Sequence, residues 1–382
     1  VSSAHPEFTD STSSTSPTSS TSSSFSLRDV SRAIYQSLGL PLTAPISLTP
    51  SKGIEILFLI DGLGEQSLME HAQWAPNITS MVSLGNLSSE FPSTTATSLT
   101  SVGTGLTPAE HGMLGYTVRI PYSDNRLLNA LKWDSRVDPV IWQSHETLFE
   151  QGKRCGIDAF NISSERYAGT GFTEAALRGA TFLGANTFQR MIEQLRFAMK
   201  SAPTFIYLYI NDIDAAGHEF GVGSQEWIDA LVLADDFVGM LKENLPSGAR
   251  LTLTADHGML NAREKIMIDG ALMRDVVLIG GEPRARHIYV ADNRAQQVQS
   301  AWQEKLGASV EVLLKSEALE RELFGAHASP QAIERMGDVI AIPGEQIVLI
   351  EPARKHLEGA MVGHHGGLTE IERAIPLFSF QT

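Results

Sequence analysis

A chain of 382 residues with 42% hydrophobic side chains is long enough for one large α/β domain or two ordinary ones. Its 29 Lys plus Arg against 44 Asp plus Glu leave a net charge of -15, which excludes a surface built to neutralise phosphate backbones or anionic lipid, so extended nucleic acid is not an expected partner. A single cysteine, Cys155, rules out an intrachain disulfide, and no apolar run reaches the ~18–20 residues of a membrane span; a cytoplasmic setting is the simpler expectation, with a leader ahead of Val1 the alternative.

Residues 1–26 are mostly Ser and Thr, too poor in apolar side chains to offset ordering entropy, and are expected to form a disordered tail. Residues 27–264 then read as an α/β core, because short apolar runs alternate with amphipathic stretches in the manner of a parallel sheet covered by helices. Buried strands are predicted at 54–60, 156–162, 204–210 and 249–255, and helices at 63–73, 143–152, 187–200 and 224–243. The hydroxyl-rich stretch "SSEFPSTTATSLTSVGTG" (88–105) differs from the tail: it enters through Phe91-Pro92 and spaces Leu99 and Val102 among small residues, which predicts a tightly packed helix starting near Ser93 or Thr94. Residues 265–336 form a smaller α/β insertion or cap around a polar helix at 293–305, and 337–382 return to the core.

Acidic residues follow three of the apolar runs: Asp61 after "ILFLI", Asp212 and Asp214 after "FIYLYI", and Asp256 with His257 after "LTLTA". Ligands in open α/β sheets bind beyond the carboxyl ends of the strands, so these acids are expected to converge in one pocket. An Asp in such a place is also an ordinary cap or turn residue, and "DGLG" lacks the third glycine of a dinucleotide-binding loop. Asp214 and His218 at i and i+4 share one face of a helical turn, and "GHHGG" adds His364 and His365 in a glycine-rich stretch. Mixed imidazole and carboxylate ligands suit Zn²⁺ or Mn²⁺ better than oxygen-seeking cations, and a set this large suits two ions with open positions. Two such ions are a recurrent device for displacement at phosphorus. A Thr in the first turn of the helix near residue 94 would supply a nucleophile favoured by the helix N-terminus.

Five segments, "LFLIDGLG", "FPSTTATSLTSVGTGLTPAEHGMLGY", "YINDIDAAGHEFG", "TADHGM" and "GHHGGLT", resemble in their order the alkaline phosphatase superfamily, and within it the type I phosphodiesterase/nucleotide pyrophosphatase family, across residues 54–369. The resemblance implies an alkaline phosphatase-like fold and two divalent ions, with Zn²⁺ expected and Mn²⁺ the alternative. It makes Thr95 the nucleophile and a ligand of one ion with Asp61, Asp256 and His257, and gives Asp214, His218 and His365 to the other. Asp212 and His364 stay outside the set, and His111 is expected to support the fold. Where family members usually carry T-F-P-N, this chain has Thr95-Ala96-Thr97-Ser98, so Ser98 takes the position of the phosphate-contacting Asn.

The expected reaction is hydrolysis of a phosphodiester or nucleotide pyrophosphate bond in a small-molecule substrate through a phospho-threonine. A phosphomonoesterase or a phosphonoacetate-type C–P hydrolase on the same core is the enzymatic alternative, and a non-catalytic phosphate-binding protein the other. Leaving-group specificity is assigned to the loops at 116–140 and 164–186, where Tyr116, Trp133, Tyr167, Phe172 and Phe182 offer stacking surfaces.

Overall fold

The computed structural model describes residues 25–50 and 53–382, so residues 1–24 of the expected tail lie outside the described part. Its last two residues are engaged in the fold. The Phe25 carbonyl accepts the Ser88 N–H at 2.9 Å, and the Ser26 N–H donates to Asp29 at the start of the helix Leu27–Ser37.

The main sheet has seven strands in the spatial order Val82–Ser88, Ala374–Gln381, Arg250–Thr254, Ile54–Ile60, Thr204–Ile210, Asp158–Ser163 and Thr181–Gly184. All neighbours pair in parallel except Ala374–Gln381, which runs against both of its neighbours. Near-continuous apolar runs such as "IEILFLI" and "TFIYLYI" are what a parallel strand needs when helices cover both faces. Helices Phe188–Ala198 and Gln225–Asn244 do some of this covering, with Phe188 stacked on Phe237 at 4.5 Å between ring centres. The predicted helix at 143–152 is shifted to Leu148–Arg154, because Thr147 and Glu150 form a capping box that fixes its start.

The central three strands, Arg250–Thr254, Ile54–Ile60 and Thr204–Ile210, lie side by side with Ile60 level with Ile210 and Leu59 level with Thr254. This register sets the acids that follow them at one edge. Gly62, at φ +75°, turns the chain there and lets Asp214 approach: a Cβ on it would stand 3.0 Å from the Asp214 Cα. Gly258 serves a close backbone approach, since a Cβ there would meet the Ile371 carbonyl oxygen at 2.0 Å.

A four-stranded antiparallel sheet, in the order Val276–Glu282, Ala285–Val290, Val339–Pro343 and Val310–Leu314, forms the smaller unit with helix Ala295–Leu306. Its own core includes Ile288, Trp302, Val312 and Leu349. Val339–Pro343 is an inner strand of this sheet, so the sheet extends past residue 336, while Phe324, Met336, Ile340 and Ile342 pack into the main core. The tip of its first hairpin reaches into the main core. Arg284, fully buried, pairs with Glu372 at 2.7 Å, and Glu282 accepts the Tyr116 N–H at 2.9 Å.

Candidate metal centre

Thr95 is the first residue of the helix Thr95–Thr104, capped by Thr94 in an extended conformation, and is almost buried at 8% exposure. Every residue of this helix is buried, so the hydroxyls in the stretch replace water contacts with internal ones. Thr97 donates to the Met113 carbonyl, Thr100 to Ala96 and Thr104 to Thr100. Thr95 alone among these four points at ionisable side chains: its Oγ1 lies 3.2 Å from His257 Nε2.

Two three-residue clusters flank that hydroxyl, each with its ligand atoms within 4.8 Å of one another: Asp61 with Asp256 and His257, and Asp214 with His218 and His365. In the first, His257 Nε2 stands 3.4 Å from both Asp61 Oδ1 and Asp256 Oδ2, and neither carboxylate oxygen has a hydrogen-bond partner despite burial. Their second oxygens are fixed: Tyr209 donates to Asp61 Oδ2, while the Gly62 and His257 N–H groups donate to Asp256 Oδ1 at 3.1 and 3.0 Å. In the second, Asp214 Oδ1 is likewise buried and unpartnered, 3.5 Å from His218 Nε2 and 3.7 Å from His365 Nε2.

The imidazoles are oriented by the backbone. Nδ1 of His257, His218 and His365 lies 3.1, 2.9 and 2.9 Å from the carbonyls of Gly258, Gly363 and Ser93 respectively. An Nδ1–H donating to a carbonyl leaves Nε2 with a lone pair, the orientation that metal-binding histidines adopt. His257 and His365 stack with ring centres 3.7 Å apart, which brings the two clusters side by side.

Electrostatics favour a cation. Burial, and then the charges of Asp256 and Asp214, push the Asp61 carboxyl well above the usual carboxylate range. Burial also raises Asp256 and Asp214, opposed by His257 and His218. Burial, then His257 and His218, hold His365 well below the ordinary imidazole value, and burial lowers His257. A site whose acids resist ionising and whose imidazoles resist protonation is poor in positive charge, and a divalent ion reverses the first penalty while using the second. The residues present therefore fit two divalent ions, with nitrogen and oxygen donors in each set.

Neighbouring residues fall where the motif leaves them. Asp212 is exposed outside both clusters, and His364 is buried in the wall of an adjoining cavity. His111 binds Ser101 Oγ through Nε2 at 2.9 Å and accepts the Met113 N–H on Nδ1 at 3.1 Å, tying the Thr95 helix to the segment behind it.

Ser98 corrects the sequence reading. Its Oγ donates to the Asp256 carbonyl at 2.9 Å and meets Ser89 Oγ at 3.2 Å, and the residue has no solvent exposure. Three residues beyond Thr95 it has rotated about 60° around the helix axis, toward the strand end instead of the pocket. It holds the backbone of a residue of the first cluster, with its hydroxyl engaged inside the fold.

A cavity of about 260 Å³ opens from Thr95, Asp61 and Asp214, lined by Asn161, Arg166, Tyr167, Phe172 and Tyr209 among others. Of the five aromatics expected there, Tyr167 and Phe172 take part, and Tyr116 lines the adjoining cavity. Trp133 instead packs edge-on to Trp142, with its indole N–H on the Val137 carbonyl, and Phe182 lies on the edge strand Thr181–Gly184 away from both cavities. Arg166 stacks over Tyr167 at 4.7 Å and donates to Asn211 at 2.7 Å. Arg166 and Tyr209 were missed in the sequence: Arg166 sits in a polar loop without a motif, and Tyr209 reads as core in an apolar strand. The one available signal was Tyr207 and Tyr209 at i and i+2, placing two hydroxyls on one strand face near its C-terminal end.

The sequence model of the type I phosphodiesterase / nucleotide pyrophosphatase family matches residues 56–368. Similar curated proteins include venom phosphodiesterase 2 of Crotalus adamanteus, 28% identical over 217 residues, and ectonucleotide pyrophosphatase/phosphodiesterase family member 3 of Bos taurus, 27% identical over 217 residues. Each alignment takes in 53% of this chain, and 26% and 24% of those proteins respectively, so the chain spans about a quarter of their length. Among solved structures, murine ectonucleotide pyrophosphatase/phosphodiesterase 5 superposes with a TM-score of 0.69 at 16% identity, over 87% of this chain and 88% of that one. An inactive threonine-to-alanine variant of the same murine protein in complex with AMP gives 0.68 at 16% identity, over 85% and 87%. These structures share the mixed α/β fold with its large, mostly parallel sheet. With two carboxylate–imidazole clusters, one buried and one half-buried, about one helix-terminal threonine and a family match across most of its length, this chain belongs to the type I phosphodiesterase / nucleotide pyrophosphatase family.

Proposed function

We propose that the protein hydrolyses phosphodiester or nucleotide pyrophosphate bonds in small molecules through a phospho-threonine at Thr95. The observation that carries this reading is the placement of Thr95 Oγ1, at a helix N-terminus and 3.2 Å from His257 Nε2, between two clusters of three ligands each. Asp61, Asp256 and His257 would hold one divalent ion and Asp214, His218 and His365 the other, with Zn²⁺ suited to the mixed donors. When bound, such ions supply Lewis acidity that stabilises charge on the entering and leaving oxygens.

Thr95 loses its hydroxyl proton to solvent, and its oxygen attacks phosphorus as the P–O bond to the leaving group breaks. Partial positive charge at the N-terminus of its helix favours the alkoxide and the phosphoryl oxygens. A water molecule then cleaves the phospho-threonine and returns the hydroxyl to Thr95. Tyr209 and the Gly62 N–H hold Asp61 and Asp256 in register throughout. The AMP bound by the murine relative, together with Tyr167 and Phe172 in the cavity beside Thr95, supports a nucleotide as the retained part of the substrate.

Arg166 in that cavity favours a second reading, a phosphomonoesterase or phosphonoacetate-type hydrolase, because a guanidinium suits a doubly charged phosphoryl group. Hydrolysis of p-nitrophenyl phosphate, bis(p-nitrophenyl) phosphate and phosphonoacetate, with Zn²⁺ or Mn²⁺ added, separates the two. The diester is expected to be the preferred substrate, and preference for the monoester overturns this proposal.

A further inference from the structure

Thr95 stands between two cavities. The one of about 260 Å³ contains Asp61 and Tyr209; a second of about 230 Å³ contains His218 and His365, and the two share Thr95, Leu131 and Asp214. Since Thr95 Oγ1 leans toward His257, the cluster of Asp214, His218 and His365 is the one left to face the departing oxygen of an in-line displacement. That cluster lines the second cavity.

Leu131, Pro283, Leu357 and Met361 give it apolar wall, yet, besides Asp214 Oδ1 of the cluster, two polar atoms in its lining residues are buried without a hydrogen-bond partner: Glu282 Oε1 and His364 Nε2. Leaving such atoms unpaired costs stability, so a residue pair that keeps them calls for a ligand. The Glu282 carboxyl is held in place. Its Oε2 accepts the Tyr116 N–H at 2.9 Å, and a Cβ on Gly366 would lie 2.6 Å from its Cγ. Burial pushes it up to about 8, so at neutral pH it is a carboxylic acid able to donate as well as accept. Arg354, also in the wall, is matched by Glu351 at 3.0 Å and bonded to Thr117, which leaves it little call for a second phosphate.

We propose that this second cavity is the leaving-group subsite, and that Glu282 Oε1 and His364 Nε2 select an uncharged alcohol carrying a further hydroxyl. The proposal rests on the diesterase reading of Thr95 and narrows it toward hydroxylated diesters over pyrophosphates. A hydroxyl supplies both a donor and an acceptor, which is what the two atoms lack.

The test uses Zn²⁺-loaded Thr95→Ala protein and calorimetric titration with two intact diesters, thymidine 5′-(glyceryl phosphate) and thymidine 5′-(propyl phosphate). The glyceryl ester is expected to bind about tenfold more tightly, the scale of one or two buried hydrogen bonds. Adding Glu282→Met should shrink that gap below about twofold, while Glu282→Gln, which keeps a donor and an acceptor, should retain most of it. Equal affinities for the two esters, or a gap that Glu282→Met leaves intact, overturns the subsite. Should Glu282→Met not fold, the comparison of the two esters still decides. Wild-type turnover of both esters is scored separately: a glyceryl preference in binding with no turnover would remove the diesterase reading and leave the subsite standing.

Discussion

His218 and His365 face one another through their Nε2 atoms at 3.2 Å, while both Nδ1 atoms are committed to backbone carbonyls. Two lone pairs at that separation repel unless a proton or a cation lies between them, and burial with neighbouring imidazoles holds His365 against protonation. Protein purified without chelator is therefore expected to carry between one and two divalent ions per chain by elemental analysis. Stripping them should lower the melting temperature, since an ion held at a thousandfold excess over its Kd contributes about 4 kcal/mol. Fewer than one ion per chain, with a melting temperature indifferent to chelator, contradicts the assignment.

Replacing the attacking oxygen tests Thr95 directly. Thr95→Ala is expected to retain its metal and lose turnover by about a thousandfold or more, because the covalent route disappears. Thr95→Ser should keep measurable activity. Turnover unchanged in the alanine variant removes Thr95 from the reaction.

Ser98 anchors the Asp256 carbonyl from inside the fold, so Ser98→Ala should act on stability. The expected loss is about 1 kcal/mol, from one buried hydrogen bond, since the Ser89 hydroxyl still donates to that carbonyl. KM for a diester should stay within about twofold, whereas a lost phosphate contact would raise KM or lower kcat by tenfold or more.

Tyr209 reaches the candidate centre only through Asp61. Tyr209→Phe keeps the ring and removes the hydroxyl, and partners of this kind typically change metal affinity by about 10–100-fold. Competition with a chromophoric chelator measures the affinity; a value within twofold of wild type means the hydroxyl does not position Asp61.

Acid should destabilise the fold through two histidines outside the centre. His111 and His287 each accept a backbone N–H on Nδ1, from Met113 and Gly337, so neither has room for a second ring proton. Burial holds them at about 3 and about 4. The unfolded chain, near 6.5, binds these protons first, so stability is fully present above that pH and declines as pH falls through 6.5 toward 4. Each proton contributes about 1.4 kcal/mol per pH unit in that window. Melting curves of chelated protein from pH 7 to 4.5 should slope less steeply for His111→Gln than for wild type, and equal slopes would refute the assignment.

What the sequence determined by itself was local. Apolar runs at 54–60, 204–210 and 249–255 announce buried parallel strands, and the acids behind them must emerge at the carboxyl edge of the sheet because a strand's direction fixes where its end lies. Helical spacing of Asp214 and His218, and the Phe-Pro entry ahead of Thr95, carry the same kind of information. Only the tertiary structure decided which groups those ends meet. Ser98 faces the carbonyl of Asp256, 158 residues further along the chain, a packing outcome that no spacing encodes. Val339–Pro343 joins the smaller sheet through pairing with strands some 50 and 30 residues earlier in the chain. Glu282 comes to the cavity that Thr95 also lines on a hairpin tip anchored by the buried Arg284–Glu372 pair, a contact between residues 88 apart. Long-range contacts of this sort are chosen by the whole folded chain, where burial makes an unmatched charge expensive.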